Sequence, residues 1–132
     1  MSYNAIAKTL LLAVFALLIA CSSPDATALD QVSAVQAAEM VKVENAVIID
    51  VREQDEWNAG HIPGAIHIPL GQVKTRLAEF EAYQDQPIVM QCRSGRRSAA
   101  AATILLDAGF ENVSNLSGGI LAWGKSDLPL EK

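Results

Sequence analysis

Cys92 opens the segment Cys-Arg-Ser-Gly-Arg-Arg, Cys92 to Arg97, between an apolar run and an alanine-rich one. Cysteine reacts as its thiolate, and the guanidinium groups of Arg93, Arg96 and Arg97, with a helix beginning just after them, favour the ionised sulfur. A loop running from a strand end into a helix start turns successive N–H groups inward. Ser94 and Gly95 sit in the middle of this one, and Gly95 is free to take a positive φ, so the segment is a nest for an anion. A free thiol titrates near ~8.5, and such surroundings bring it to roughly 3.5–7.5. Cys92 is therefore expected to act as a nucleophile without a general base. His61 and His67 lie in a stretch rich in Pro and Gly, and nothing in the sequence places either beside the sulfur. An inert core cysteine would have apolar neighbours, which raise a thiol pKa, and not three arginines.

The elements that must position this loop follow from hydrophobic period. Ser33 and Gln36 form a capping box ahead of Val35, Met40 and Val41, a short helix. Ala46–Ile49, ending at Asp50, is an apolar run suited to a strand buried on both faces. Ala65–Ile68 is a second, weaker strand entered through Pro63 and Gly64. Val73, Leu77, Phe80 and Tyr83 make one buried stripe on a helix over Leu70–Tyr83. Pro87–Met90 is a third strand, and it ends at Gln91 and Cys92. The run Ser98–Asp107, with four consecutive alanines, is a helix stopped at Gly109. Asn112–Leu116 supplies a further strand, and Gly118 and Gly119 break it before a short helix around Ile120, Leu121 and Trp123. Strands alternating with helices predict an α/β domain with a mostly parallel sheet, in which function collects at the carboxyl ends of strands.

The 132-residue chain carries 10 basic and 15 acidic side chains, a formal charge of −5, which excludes nucleic acid as an expected partner. Met1–Ala20 holds one basic residue, Lys8, and an apolar run of eleven residues from Leu10 to Ala20. A spanning helix needs roughly 20 apolar residues, so the segment reads as a cleaved export signal. Without it the chain has nine basic and fifteen acidic side chains, and three of the nine positive charges lie in the Cys92 loop. Leu18-Ile19-Ala20-Cys21 resembles a bacterial lipobox, which implies cleavage before Cys21 and lipid on its sulfur. The expected product is tethered to the bacterial cell envelope facing the periplasm, with Ser22 favouring the outer membrane. Residues 21–31 read as a flexible tether and 32–132 as one folded domain. A lipidated Cys21 leaves Cys92 without a disulfide partner in the chain.

From about Ala46 to Trp123 the chain resembles the single-domain rhodanese, or sulfurtransferase, family. The residues that carry the resemblance are Asp50-Val51-Arg52, Glu56-Trp57, Gly60-His61-Ile62-Pro63-Gly64-Ala65, the Cys92 loop, and Leu116-Ser117-Gly118-Gly119-Ile120 with Ala122-Trp123. The resemblance implies a five-stranded, mostly parallel sheet flanked by helices on both faces. It implies that Cys92 takes a sulfane sulfur from thiosulfate or a similar small anion, holds it as a persulfide against the N–H groups of Arg93 to Arg97, and passes it to cyanide or a thiol. No cofactor or metal is called for, and a monomer is expected. Asp50 and Arg52 are implied as structural residues, with Arg52 paired to Glu56 or a nearby carboxylate; Gly118, Gly119 and Trp123 are implied to pack the last helix near the site. One alternative is a membrane-tethered carrier or binding module fed by a protein partner. The other is a cysteine phosphatase of related fold, whose motif wants His before the cysteine and Arg six positions after it; Gln91 and Ser98 stand there instead.

Overall fold

The structure, a computed structural model, describes residues 28–132. The expected signal segment and Cys21 lie outside the described residues. Strand β1 is Asp30–Val32, α1 Ala34–Val43, β2 Val47–Asp50, α2 Gln54–Ala59 and β3 Ile66–His67. Next come α3 Leu70–Val73, α4 Leu77–Phe80, β4 Ile88–Gln91, α5 Arg96–Asp107, β5 Val113–Leu116 and α6 Gly119–Lys125. The five strands form one sheet in the order β1-β5-β4-β2-β3, every pair parallel.

The continuous apolar runs of β2 and β4 are explained by helices on both faces. Alternate side chains enter two cores. Ile49, Ile88 and Met90 join Val73, Phe80, Ala101, Ala102 and Leu105 on one face, where Cys92 also lies. Ile48 and Val89 join Ala34, Ala37, Ile62, Leu116 and Trp123 on the other. The capping box forms as read, with Gln36 N–H donating to Ser33 Oγ at 3.1 Å and Ser33 N–H donating to Gln36 Oε1 at 2.8 Å.

Two expectations are corrected. Asp30 and Gln31 do not belong to a tether: they pair with Ser114 and Asn115 as the edge strand β1. Leu70–Tyr83 is not one helix but α3 and α4, each followed by a 3₁₀ turn, at Lys74–Arg76 and Glu81–Tyr83. The break falls at Arg76, which at φ −112°, ψ 21° leaves the helical region between the two pieces.

Candidate active site

Parallel register brings the carboxyl ends of the central strands level, with Asp50 opposite both Gln91 and His67. Cys92 is the next residue of β4's chain, and α5 begins four residues later. The turn between them requires glycine, since Gly95 sits at φ +106°, ψ −8° as the N-cap of α5. In that conformation its N–H donates to Cys92 Sγ at 3.1 Å. A second donor comes from the helix: Ser98 Oγ lies 3.2 Å from the sulfur.

Cys92 is only 1% exposed, and burial alone pushes its pKa up. The Ser98 hydroxyl and the backbone N–H groups of Ser98, Gly95 and Ser94 outweigh burial and hold the thiol below its ordinary value. Of the arginines, the nest and the helix start expected to lower this pKa, the nest is the main source, together with the Ser98 hydroxyl. Arg93 and Arg96 are exposed, while Arg97 gives Nη1 and Nη2 to the Glu56 carboxylate at 2.7 and 2.8 Å. Glu56 raises the Arg97 pKa, burial opposes this, and charge on Cys92 adds a smaller rise.

Of the two carboxylate partners left open for Arg52, Glu56 or a nearby one, it takes the nearby Asp50. Its Nη2 donates to Asp50 Oδ2 at 2.7 Å and its Nε to Oδ1 at 3.0 Å, both residues being buried. Its remaining donors reach the Glu56 and Gly60 carbonyls at 3.2 and 2.8 Å, so it ties β2's end to the middle of α2 and to its C-cap. The implied structural role of Asp50 and Arg52 fits this arrangement. His61 and His67 both stack on Trp57, with ring centroids at 3.7 and 4.8 Å, and contact the Trp57 and Arg52 carbonyls respectively. His61 also lies 3.4 Å from the Glu131 carboxylate, and neither histidine is among the hydrogen-bond partners of Cys92.

The last helix closes the loop from behind. Ile120 N–H donates to Cys92 O at 2.8 Å and Leu121 N–H to Arg93 O at 3.3 Å, so the first turn of α6 fixes the backbone of the nucleophile and of the residue after it. Gly119, at φ +56°, permits the approach: a Cβ there would stand 2.3 Å from Cys92 O. Trp123 does not share this contact. It packs in the core on the opposite face and donates Nε1–H to Pro129 O at 2.8 Å.

Ser98 was visible in the sequence only as a residue where a phosphatase would carry Arg. Its signal is positional: the buried positions of α5 are Ser98, Ala101, Ala102 and Leu105, the stripe of a helix on a sheet, and a polar side chain opening such a stripe needs a buried partner.

A family model decides what this arrangement belongs to. Residues 33–126 match the rhodanese-like domain. The chain belongs to the rhodanese family. A sulfurtransferase of Allochromatium vinosum is 35% identical over 91 residues, which cover 69% of this chain and 83% of that protein. The thiosulfate sulfurtransferase GlpE of Pseudoalteromonas translucida is 36% identical over 96 residues, covering 73% of this chain and 90% of that one. Among solved structures, a rhodanese-related protein from Thermoplasma volcanium matches with a TM-score of 0.70 at 29% identity, covering 77% of this chain and 97% of that one. The rhodanese fold and sulfurtransferase kinship thus join the sulfur nest of Cys92.

Proposed function

We propose that this rhodanese moves sulfane sulfur from thiosulfate or a similar anionic donor to a thiophilic acceptor, cyanide or a thiol, through a persulfide on Cys92. The observation that carries the reading is the pair of donors on a buried sulfur, Gly95 N–H at 3.1 Å and Ser98 Oγ at 3.2 Å, at the N-terminus of α5. A thiolate held there attacks the outer sulfur of thiosulfate. The Sγ–S bond forms as the donor's S–S bond breaks, and the electron pair leaves on sulfite. The acceptor then attacks the outer sulfur of the persulfide, and the pair returns to Cys92 as thiolate. With cyanide the product is thiocyanate. The exposed Arg93 and Arg96 give an anionic donor a positive approach.

Intact-mass measurement tests the reading. Folded protein incubated with thiosulfate should gain the mass of one sulfur atom at Cys92 and lose it on addition of cyanide. Absence of any such adduct would falsify the sulfurtransferase reading.

We also propose that lipid on Cys21 holds the domain at the periplasmic side of the bacterial envelope, supported by the Leu18–Cys21 motif after an apolar run of signal length. Cell fractionation is the test: the chain should pellet with membranes and Cys21→Ser should release it. Equal distribution of the two would overturn the anchor.

A further inference from the structure

Asn115 stands at the centre of the site and has not entered the chemistry so far. It lies on β5 opposite Met90, two residues before the nucleophile, and is 4% exposed. Its Nδ2 donates to Gly95 O at 3.0 Å and to Gln31 Oε1 at 3.0 Å, and its Oδ1 lies 2.6 Å from Ser98 Oγ. The amide has one consistent orientation. Gly95 O can only accept, so nitrogen must face it, and the amide oxygen then faces Ser98.

Ser98 Oγ is thus within reach of two acceptors, Asn115 Oδ1 at 2.6 Å and Cys92 Sγ at 3.2 Å. The hydroxyl owns one proton and can serve one of them at a time. With a neutral thiol the chain is complete: S–H donates to Ser98 Oγ, and Ser98 O–H donates to Asn115 Oδ1. With a thiolate the Ser98 proton must turn to sulfur, which leaves Asn115 Oδ1 without that donor.

We propose that Asn115 is a positioning residue that competes with the Cys92 sulfur for the Ser98 proton, so that the hydroxyl turns from one to the other as charge arrives on and leaves Sγ. This rests on Cys92 being the sulfur-accepting nucleophile. When the persulfide forms, negative charge moves from Sγ to the outer sulfur, and Ser98 O–H returns to Asn115. When the acceptor removes that outer sulfur, charge returns to Sγ, and the hydroxyl swings back to receive it. No proton is gained or lost; only the Cβ–Oγ torsion of Ser98 changes. Because β1 contributes Gln31, the edge strand that opens the domain is joined to the nucleophile through Asn115 and Ser98.

The ionisable groups around the sulfur come from several elements. Arg97 on α5 is held by Glu56 of α2, Arg93 and Arg96 are exposed, and Asp50 of β2 is paired to Arg52 and reached by Gln91 Nε2 at 3.3 Å. Asn115 is neutral, so its removal changes its hydrogen bonds to Ser98, Gly95 and Gln31 and no charge. The first turn of α6 brings none.

The test is the pH dependence of Cys92 alkylation by iodoacetamide on the full chain, with the modified site identified by peptide mass. Ser98→Ala should raise the midpoint by about 1 pH unit, since it removes a donor to the thiolate. Asn115→Leu should lower it by about 0.5–1 unit, since it frees the Ser98 proton for sulfur. The double variant should match Ser98→Ala alone, because Asn115 acts through Ser98. A merely structural Asn115 would slacken Gly95 and raise the midpoint, and a rise or no change in Asn115→Leu overturns the proposal. If that variant does not fold, Gln31→Ala on the exposed edge carries the test: a smaller downward shift supports competition, and an unchanged or raised midpoint overturns it. Alkylation needs no sulfur donor. Failed thiosulfate loading with these shifts intact would therefore remove the sulfurtransferase reading and leave the competition standing.

Discussion

Arg97 grips Glu56 with both terminal nitrogens, at 2.7 and 2.8 Å, across 41 positions of sequence. The pair joins the first turn of α5, which carries the sulfur nest, to α2, which Arg52 ties to the end of β2. It also neutralises one of the three loop cations, leaving Arg93 and Arg96 as the free charges.

The Arg97 hydrogen bonds bring the Glu56 pKa down to about 2, against a burial effect that raises it. A carboxylate with a lowered folded pKa stabilises the fold fully above its unfolded value of 4.5, and this contribution is lost as pH falls through about 2. Glu56→Gln should therefore cost about 1 kcal/mol near neutral pH, the scale of a partly exposed ion pair. The gap from the unaltered protein should narrow by about pH 3. Urea midpoints at the two pH values check it, and a gap independent of pH would remove the ion pair as its cause.

The Arg97–Glu56 pair also shows where the sequence stops being readable. Apolar runs located β2, β4 and β5, and an alanine-rich run stopped at Gly109 located α5, each to within about two residues, because these signals are local in the chain. The nest was legible for the same reason: strand end, glycine and helix start are adjacent in the chain. What was not legible depends on contacts between distant segments. The sequence offered Arg52 either Glu56 or a nearby carboxylate and could not choose; Arg52 takes Asp50, two residues away, and Glu56 takes Arg97, 41 positions on. Asn115 and Gln31 meet across 84 positions, and only the β1–β5 register puts them side by side. β1 itself is three residues with exposed or half-exposed side chains, too short to show a period.

Arg96 is exposed and lies in the first turn of α5, so its charge is available to an approaching anion. Arg96→Gln should raise KM for thiosulfate by about three- to tenfold, with kcat little changed. Added salt should blunt the difference, since exposed charges are screened over roughly 10 Å at 0.1 M ionic strength. Kinetics with an uncharged sulfur donor provide the control. Equal losses with both donors would show that Arg96 shapes the loop and does not guide anions.

Asp50 is fully buried and carries the charge that compensates Arg52, itself 5% exposed. Removing one partner of such a pair leaves the other uncompensated, at a cost of about 3–5 kcal/mol. Asp50→Ala should show this loss in thermal or urea unfolding. Whatever fraction stays folded should retain an alkylation midpoint for Cys92 close to the unaltered protein's, because Asp50 is not among the groups that lower that thiol. A shifted midpoint at unchanged stability would give Asp50 a direct electrostatic part in the site.

Two glycines of α6 make opposite predictions. At Gly119 an added Cβ would meet Cys92 O at 2.3 Å and Arg93 O at 2.5 Å, both backbone atoms that cannot turn aside, at a φ of +56°. Gly119→Ala must therefore push α6 away from the loop, weakening the Ile120 N–H to Cys92 O bond, and should cost more than about 2 kcal/mol while slowing sulfur loading. At Gly124, inside the same helix, an added Cβ meets nothing within 4 Å. Gly124→Ala should gain about 0.5–1 kcal/mol from helix propensity and leave loading unchanged. Unfolding midpoints and the rate of persulfide formation, measured on both variants, separate a steric role at the nucleophile from a general intolerance of α6. If Gly119→Ala loads sulfur at the unaltered rate, the backbone of Cys92 does not depend on the close approach of this helix.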